Sequence, residues 1–298
     1  MKKAAFYTLG CKVNQYETEA MAELFADSGY EIKEFTEVAD VYVINTCSVT
    51  NMGDRKSRQI IRRAKKLNPN AVIAVTGCYA QTAPDEVLAI DGVNLVLGTK
   101  DRKNIVTLVE ELNTESNINH VSDIMSNHEF EELQIKQYSN RTRAFIKIQE
   151  GCNQFCSYCI IPYARGPVRS RAKDDVVREI KELAHNGFKE IILVGIHVAS
   201  YGVDLGDTTL ESLIMDVDKI DGVERIRLSS IEPMTLNQEF IDSIKDSKKL
   251  CHHFHISLQS GCDETLKRMN RKYTTAQFKG IVDGLREAFD DVAITTDI

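Results

Sequence analysis

The sequence predicts an α/β protein in which an N-terminal parallel-sheet, Rossmann-like domain precedes a partial TIM-type (β/α) barrel, truncated after about the fifth strand. Its 298 residues are long enough for two domains or one large barrel. Short β-branched segments alternate with amphipathic helical segments, which is the pattern of a parallel sheet. A polar stretch without periodicity, near residues 113–141, interrupts this alternation once. We therefore expect two domains, 1–135 and 136–298.

In the first domain, helical segments separate the predicted strands. The helices are expected near Tyr16–Asp27 and Gly53–Leu67. The predicted strands are Ala4–Leu9, Val41–Thr46, Val72–Thr76 and Leu95–Leu97.

The second domain repeats this pattern in five β/α units, which is typical of a barrel or partial barrel. Asp174 and Asp175 can start its first helix, and further apolar stripes at helical spacing begin at Leu210 and Phe278. Because the sequence stops at Ile298, we expect the barrel to be incomplete. The predicted strands are Phe145–Gln149, Ile191–Gly195, Arg225–Ser229, Phe254–Leu258 and Val292–Thr296.

Composition excludes several classes of protein. Hydrophobic residues make up 43% and charged residues 27% of the chain, as in ordinary globular proteins, and no apolar run approaches the roughly 18 residues of a membrane span. The start resembles a signal peptide, but Gly10 and Cys11 cut its apolar segment short, so we expect a cytoplasmic protein with no membrane partner. The net charge of −7 does not by itself suggest nucleic acid. In a cytosolic chain, eight cysteines favour metal binding, redox chemistry or core packing over disulfides.

The strongest motif places Cys152, Cys156 and Cys159 on one loop directly after a predicted strand. Three such thiolates can hold three irons of a 4Fe-4S cluster and leave the fourth iron free to chelate a ligand such as S-adenosylmethionine (SAM). A zinc site completed by Cys251, by Cys262 or by a nearby histidine is the alternative. A loop at the C-terminal mouth of a barrel strand favours the catalytic interpretation.

Cys11, Cys47 and Cys78 each follow a predicted strand of the first domain. Because equivalent ends of parallel strands lie on one edge of a sheet, these cysteines would converge and could bind a second cluster. Three unrelated core cysteines would show the same spacing. The spacing alone leaves both readings open.

Clustered cations suggest contacts to RNA phosphates. Three arginines, Arg165, Arg169 and Arg171, follow the three-cysteine loop, and the helix after Cys47 is strongly basic. The alternative for that helix is an ordinary solvated face. Its seven cations are Arg55, Lys56, Arg58, Arg62, Arg63, Lys65 and Lys66.

Polar residues at the ends of the predicted barrel strands are candidate cofactor contacts. Alternation in the fourth strand puts His255 and Gln259 on one face, which we expect to line the barrel. Ser229 and Glu232 follow the third strand, and Gly195 ends the second, where it would let the backbone approach a cofactor. The alternative for Gly195 is a simple turn. The alternatives for the histidine tract are a zinc site on His252, His253 and His255, and ordinary packing of His252 and His253.

The three-cysteine loop closely resembles the signature of the radical-SAM superfamily, Cys-x3-Cys-x-aromatic-Cys, with Tyr158 as the aromatic residue. Further segments resemble the methylthiotransferase family, and Gly10–Glu19 is most similar to its threonylcarbamoyladenosine branch. The segments that carry this resemblance include Thr8–Gln15, Asn45–Val49, Gly77–Gln81, Ala164–Gly166, Arg169–Arg171, Leu193–Gly195, Ser229–Pro233, Ser257–Gly261 and Met269–Thr274.

The resemblance implies two 4Fe-4S clusters, with SAM bound and cleaved at the cluster on the three-cysteine loop and sulfur supplied at the cluster on Cys11, Cys47 and Cys78. It implies methylthiolation of C2 of N6-threonylcarbamoyladenosine at tRNA position 37, with the tRNA anticodon stem-loop and an electron donor such as flavodoxin or ferredoxin as partners. Members of the family continue into a small C-terminal RNA-binding β-barrel, so we expect this chain to bind tRNA weakly.

Other substrates and functions stay open. The substrate alternatives are N6-isopentenyladenosine in tRNA and a ribosomal-protein aspartate. An iron-sulfur electron carrier would explain the cysteines but not the barrel, and an RNA-binding module would explain the cations but not the thiols.

Overall fold

The computed structural model describes residues 1–112, 117–135 and 142–298, except the side chain of Asn51. Parts of the polar stretch in which we placed the domain boundary, residues 113–116 and 136–141, lie outside the described residues. The chain divides into two compact units. The first unit contains Met1–Ile135 together with Ile160–Pro167, and the second contains Lys136–Cys159 and Val168–Ile298.

Helices and strands alternate in the first unit. Its described helices are α1 (Lys12–Asp27), α2 (Asn51–Leu67), α3 (Cys78–Thr82), α4 (Pro84–Leu88), α5 (Ile105–Glu110) and α6 (Ile161–Arg165). Its described strands are β1 (Lys3–Thr8), β2 (Glu31–Lys33), β3 (Val41–Thr46), β4 (Val72–Gly77), β5 (Leu95–Leu97) and β6 (Ile118–His120).

The six strands form one parallel sheet in the order β2-β1-β3-β4-β5-β6, which confirms the predicted parallel sheet. The chain passes from β1 to β2 on one side and then to β3 on the other, so the order reverses between β1 and β3. In doubly wound sheets, ligands bind in the crevice at the carboxyl ends of the strands beside such a reversal. Strands β2 and β6 were not predicted, because neither contains an apolar run like that of the three-residue strand β5.

Helices cover both faces of this sheet. Successive residues of a strand point to opposite faces, so Tyr42 and Ile44 pack with Ile61 of α2, whereas Val43 packs with Phe25 of α1. Burial on both faces explains why β3 is a continuous buried run without polar alternation.

The second unit repeats the alternation. Its described helices are α7 (Lys173–His185), α8 (Leu210–Asp218), α9 (Gln238–Ile244), α10 (Asp263–Arg268) and α11 (Thr275–Ala288). Its described strands are β7 (Arg143–Glu150), β8 (Arg169–Ser170), β9 (Glu190–Gly195), β10 (Arg225–Leu228), β11 (His253–His255) and β12 (Ala293–Thr295).

The strands of this unit form a partial barrel, as predicted. One sheet has the order β10-β9-β7-β8, with β8 antiparallel to β7, and a second sheet pairs β11 with β12. Isolated parallel bridges from Ile226 to Leu250 and from Ile231 to Ile256 connect the two sheets. The carboxyl ends of the parallel strands therefore open on one edge.

An exposed ion-pair cluster lies at the opposite end of these strands. Glu190 accepts hydrogen bonds from the Nε atoms of Arg225 and Arg227, both at 2.9 Å. Although desolvation opposes the effect, these hydrogen bonds hold the pKa of Glu190 below its usual range. In the described part of the chain, no helix combines the length and apolar character needed to cross a membrane.

Candidate functional site

The first unit brings Cys11, Cys47 and Cys78 to one edge of its sheet. Thr46, the last residue of β3, pairs with Gly77, the last residue of β4, so Cys47 and Cys78 leave the sheet side by side. Cys11 follows the neighbouring strand β1 at the start of α1. All three cysteines are free thiols and lie within electrostatic range of one another. They occupy the edge at which the strand order reverses.

Two glycines permit this close approach. Gly10 has φ +104°, and a Cβ there would lie 2.9 Å from Cys47 Cβ. Gly77 has φ +96°, and a Cβ there would lie 2.4 Å from the carbonyl oxygen of Thr46. A side chain at either position would be strained and would collide with the strand that carries Cys47.

Asn14, buried in α1, connects the carboxyl ends of the neighbouring strands β1 and β3. Its Nδ2 donates to the carbonyl oxygens of Leu9 at 2.7 Å and Thr46 at 2.9 Å. Cys11 as a whole residue is exposed, but protein atoms surround its thiol group. The resulting desolvation of the thiol raises its pKa. Burial likewise raises the pKa of Cys47.

A buried cation faces the three thiols. Arg165 ends α6 within the first unit and has no exposed surface. Its Nε donates to Cys78 Sγ at 3.4 Å, and its Nη1 and Nη2 donate to the two carboxylate oxygens of Glu17 at 2.5 and 3.0 Å. Charge attraction to Arg165 lowers the pKa of Cys11 and Cys47, against the larger effect of desolvation.

The second unit carries Cys152, Cys156 and Cys159 on the loop that follows β7. Cys152 is buried and the other two are partly buried. Desolvation, together with the neighbouring thiols, raises the pKa of Cys152 to about 11. A bound metal or a nearby cation favours the thiolate form of such a buried thiol.

The turn before α11 fixes this loop. Ser157 donates its backbone N–H to the carbonyl oxygen of Met269 at 3.1 Å, and Asn270 donates its Nδ2 to the carbonyl oxygen of Phe155 at 3.0 Å. Phe155 and Asn270 both have left-handed backbones, with φ +46° and +59°. The hydrogen bond between these two residues stabilises their left-handed conformations and holds the cysteine loop in place.

Arg271 is the cation of this second set. Its Nη1 donates to Cys156 Sγ at 3.4 Å, and its Nε donates to the Tyr273 hydroxyl at 3.0 Å. The Tyr273 hydroxyl in turn lies 2.7 Å from the carbonyl oxygen of Ser257. Glu232 lies 3.9 Å from Arg271, and desolvation raises the pKa of its carboxyl group. The predicted contact Glu232 therefore lies beside the cysteine loop.

Two polar atoms near this site are buried and have no hydrogen-bond partner among the described residues, His197 Nε2 and Ser229 Oγ. Desolvation, together with the charge of Arg271, lowers the pKa of His197 to about 4. Its backbone N–H donates to Gln149 Oε1 at 2.7 Å. A Cβ at Gly195 would lie 2.9 Å from that same oxygen, so the missing side chain of Gly195 leaves room for Gln149.

The remaining sequence candidates are more peripheral. Tyr158 is 53% exposed, although its hydroxyl lies within electrostatic range of Arg271 and Cys156. Strand β11 ends at His255, so the alternation that we expected to continue to Gln259 does not, and Gln259 has φ +68°. The imidazole of His255 contacts Thr295 Oγ1 at 2.9 Å and Asp297 Oδ2 at 3.2 Å.

Neither cysteine set converges on a single point. Among the described residues, no group of three or more His, Cys, Asp or Glu side chains could hold one metal ion. A 4Fe-4S cluster presents a different iron to each thiolate, so its ligands need not meet at one atom. Three free thiols with an N–H donor aimed at one sulfur, as found in each unit, fit such a cluster.

The expectation that Arg165, Arg169 and Arg171 contact RNA phosphates is wrong. All three are at most 1% exposed. Arg165 binds Glu17, Arg169 lies 3.5 Å from Glu150, and Arg171 pairs with Glu179. The sequence shows which residues are charged but not which are buried. A buried arginine that is paired with a carboxylate therefore cannot be distinguished from an exposed arginine by sequence alone.

Helix α2, by contrast, keeps a cationic surface. Arg58 is half-buried and donates to the Tyr79 hydroxyl at 2.9 Å, and Lys65 donates to a backbone carbonyl. At 100° per residue, the exposed cations fall within an arc of about 120°. We call them the α2 cationic face: Arg55, Lys56, Arg62, Arg63 and Lys66.

Sequence reasoning missed several residues that shape both sites. Asn14, Glu17 and Arg165 surround the first set of thiols, and Arg271 and Tyr273 surround the second. All five lie inside the segments that carry the family resemblance. Arg165 was singled out from the sequence only as a candidate RNA contact, and no signal in a single sequence separates the other four residues from their neighbours.

Two family models match the chain. The model described as "Uncharacterized protein family UPF0004" matches residues 3–98, and that of the Radical SAM superfamily matches residues 146–298. These matches contain the first and the second set of cysteines respectively.

Curated relatives match over nearly the whole chain. The threonylcarbamoyladenosine tRNA methylthiotransferase MtaB of Bacillus subtilis (strain 168) is 49% identical and covers 100% of this chain, which spans 66% of the relative. Its namesake in Aquifex aeolicus (strain VF5) is 41% identical over 99% of this chain and 72% of the relative. The tRNA-2-methylthio-N(6)-dimethylallyladenosine synthase of Thermoanaerobacter pseudethanolicus (strain ATCC 33223 / 39E) is 39% identical over 98% of this chain and 63% of the relative. The chain therefore spans about two thirds of the length of these relatives.

A solved structure supports the fold alone. The radical S-adenosylmethionine methyltransferase TsrM from Kitasatospora setae, solved with tryptophan substrate and a SAM analog, matches with a TM-score of 0.67. It is 15% identical and covers 99% of this chain and 67% of its own.

Proposed function

Because this chain belongs to the radical-SAM methylthiotransferase family, we propose that it transfers a methylthio group to C2 of N6-threonylcarbamoyladenosine at position 37 of tRNA. The observation that carries this proposal is the presence of two separate three-thiol sets, each faced by an arginine N–H donor. A single set would serve SAM cleavage but would leave the sulfur without a site.

Membership of the superfamily implies a 4Fe-4S cluster and SAM. We assign this cluster to Cys152, Cys156 and Cys159, within residues 136–298, and a second cluster to the thiols of the domain formed by residues 1–135. When bound, the first cluster supplies the electron that cleaves SAM, and the protein supplies position and a dry environment.

The residues of the second unit have distinct proposed tasks. Arg271 holds Cys156 through its sulfur and is itself held by Tyr273. His197 Nε2 and Ser229 Oγ are buried without partners, so they offer hydrogen bonds to a bound SAM. Because burial holds His197 neutral at physiological pH, its imidazole can donate or accept without carrying charge. Glu232, Gly195, His255, Gln259 and Tyr158 stay candidate SAM contacts.

The proposed RNA partner is the tRNA anticodon stem-loop. The α2 cationic face supports this, because five exposed cations on one side of a helix suit a phosphate backbone. Helix α2 begins four residues after Cys47, so this face lies in the unit that carries the proposed sulfur site. An electron donor such as flavodoxin or ferredoxin completes the proposed set of partners.

The substrate is tested in a strain that lacks the gene. Nucleosides from its tRNA are analysed by mass spectrometry before and after complementation with the wild-type gene. We expect 2-methylthio-N6-threonylcarbamoyladenosine to disappear and then return. Restoration of the 2-methylthio derivative of dimethylallyladenosine instead would overturn the assignment of the nucleoside. Unchanged tRNA in the deletion strain would overturn the tRNA substrate altogether.

A further inference from the structure

Arg165, the cation that faces the first set of thiols, is enclosed by protein atoms. Arg165 is fully buried, and its Nε donates to Cys78 Sγ at 3.4 Å. Arg165 also lies within electrostatic range of Cys11 and Cys47. One guanidinium therefore acts on all three thiols.

A carboxylate and an amide fix the orientation of this guanidinium. Its Nη1 and Nη2 bind the two oxygens of Glu17, and Nη2 also donates to Asn14 Oδ1 at 2.6 Å. With that edge occupied, the Nε edge is directed toward Cys78. Lysine could keep the charge but could not reproduce this planar fork.

The buried charges alternate in sign. Glu131 accepts from Arg102 Nε at 2.8 Å, Arg102 Nη1 lies 2.5 Å from Glu17, and Glu17 binds Arg165. Arg165 is the end of this series that contacts a thiol. Its positive charge is therefore held beside the cysteines by a network that does not depend on a bound cluster.

We propose that Arg165 is the positioning residue of the first thiol set, which orients Cys78 and raises the reduction potential of the cluster bound there. This inference rests on the second cluster of the proposed function. A more reduced cluster carries more negative charge, so a fixed cation and an N–H···S hydrogen bond stabilise it relative to the oxidised form.

The test isolates the second cluster in the full 298-residue chain. The parent carries alanine at Cys152, Cys156 and Cys159, so that any cluster must lie on the other set. Two variants are made in this parent, Arg165→Lys and the double variant Arg165→Met/Glu17→Gln. The double variant removes one positive and one negative charge, so the net charge of the buried network does not change and Arg102 keeps its partner Glu131. Iron content, circular dichroism and the midpoint potential are measured after anaerobic reconstitution.

A matched control removes a buried ion pair elsewhere. Arg171→Met/Glu179→Gln makes the same two replacements in the second unit, at a buried pair in which Arg171 Nη1 donates to Glu179 Oε2. We expect this control to keep the iron content and midpoint potential of the parent.

We expect the double variant Arg165→Met/Glu17→Gln to lower the midpoint potential by at least about 59 mV. For a one-electron couple this corresponds to a tenfold change in the equilibrium constant between the reduced and the oxidised cluster. Arg165→Lys should shift it less, in the same direction. Loss of iron from a folded Arg165 variant, with iron retained in the control, would also support the positioning role. Unchanged potentials in the Arg165 variants, or an equal shift in the control, would overturn it.

Two further outcomes are decided in the same experiment. If the double variant does not fold, Arg165→Lys decides alone, and an unchanged potential overturns the inference. If the parent binds no iron at all, the second cluster of the proposed function fails and this inference fails with it. If the parent binds a cluster whose midpoint potential does not change in the Arg165 variants, only the role of Arg165 is refuted and the second cluster of the proposed function stands.

Discussion

The α2 cationic face should account for most of the salt dependence of tRNA binding. The perturbation replaces its five cations with glutamine, Arg55, Lys56, Arg62, Arg63 and Lys66. Each phosphate contact contributes a slope of about −0.9 to log K against log salt on duplex nucleic acid and about −0.7 on single strands. If all five cations contact phosphates, the slope should become shallower by about 3.5 to 4.5, and if only two do, by about 1.4 to 1.8.

The assay measures the dissociation constant of tRNA by fluorescence anisotropy at several salt concentrations. The matched control removes five exposed cations of the second unit, each of which lies within 4.0 Å of a carboxylate and is therefore less available to a phosphate. A slope that the α2 variant leaves unchanged would refute the reasoning, as would an equal change in the control. The control replaces Arg178, Lys189, Lys219, Lys245 and Lys279 with glutamine.

Three further predictions follow from the geometry of single sites. Cys152→Ala should abolish 5′-deoxyadenosine formation, whereas Cys78→Ala should spare it and remove only the methylthio product; both are measured by liquid chromatography with mass spectrometry. Arg171→Met should lower the free energy of unfolding by about 3–5 kcal/mol, because it removes one partner of a buried ion pair, and the added Glu179→Gln should restore most of that loss in urea titrations. Glu190→Gln should cost about 0.5 kcal/mol near neutral pH; since the folded pKa of Glu190 is lowered, this difference should vanish as the pH falls through that pKa.

Each of these predictions has a contradicting result. Loss of SAM cleavage in both cysteine variants would contradict separate roles for the two sets. A double variant at Arg171 and Glu179 as unstable as the single one would show that packing, and not charge, dominates there. A Glu190→Gln difference that grows in acid would reverse the sign of the inferred ion pairing.

The two architectures were predictable because hydrophobic patterning is a local property. Strands such as β3 are visible in the sequence as short apolar runs. Helix α7 is visible as an apolar stripe that begins after two aspartates. The three-residue strand β5 is wholly apolar and was predicted, whereas strands β6 and β8 contain no apolar run and were not predicted. Their position depends on a neighbouring strand, which a local window does not contain.

The positions of the cysteines in the sequence determined both candidate centres, because each cysteine follows a strand or lies on one short loop. Only the tertiary structure decided what surrounds them. It buried Arg165 against Glu17 and Arg171 against Glu179, and left the α2 cationic face exposed. The sequence determines which side chains carry charge. Whether a charged side chain contacts a carboxylate, a thiol or water depends on which distant segments of the chain pack together.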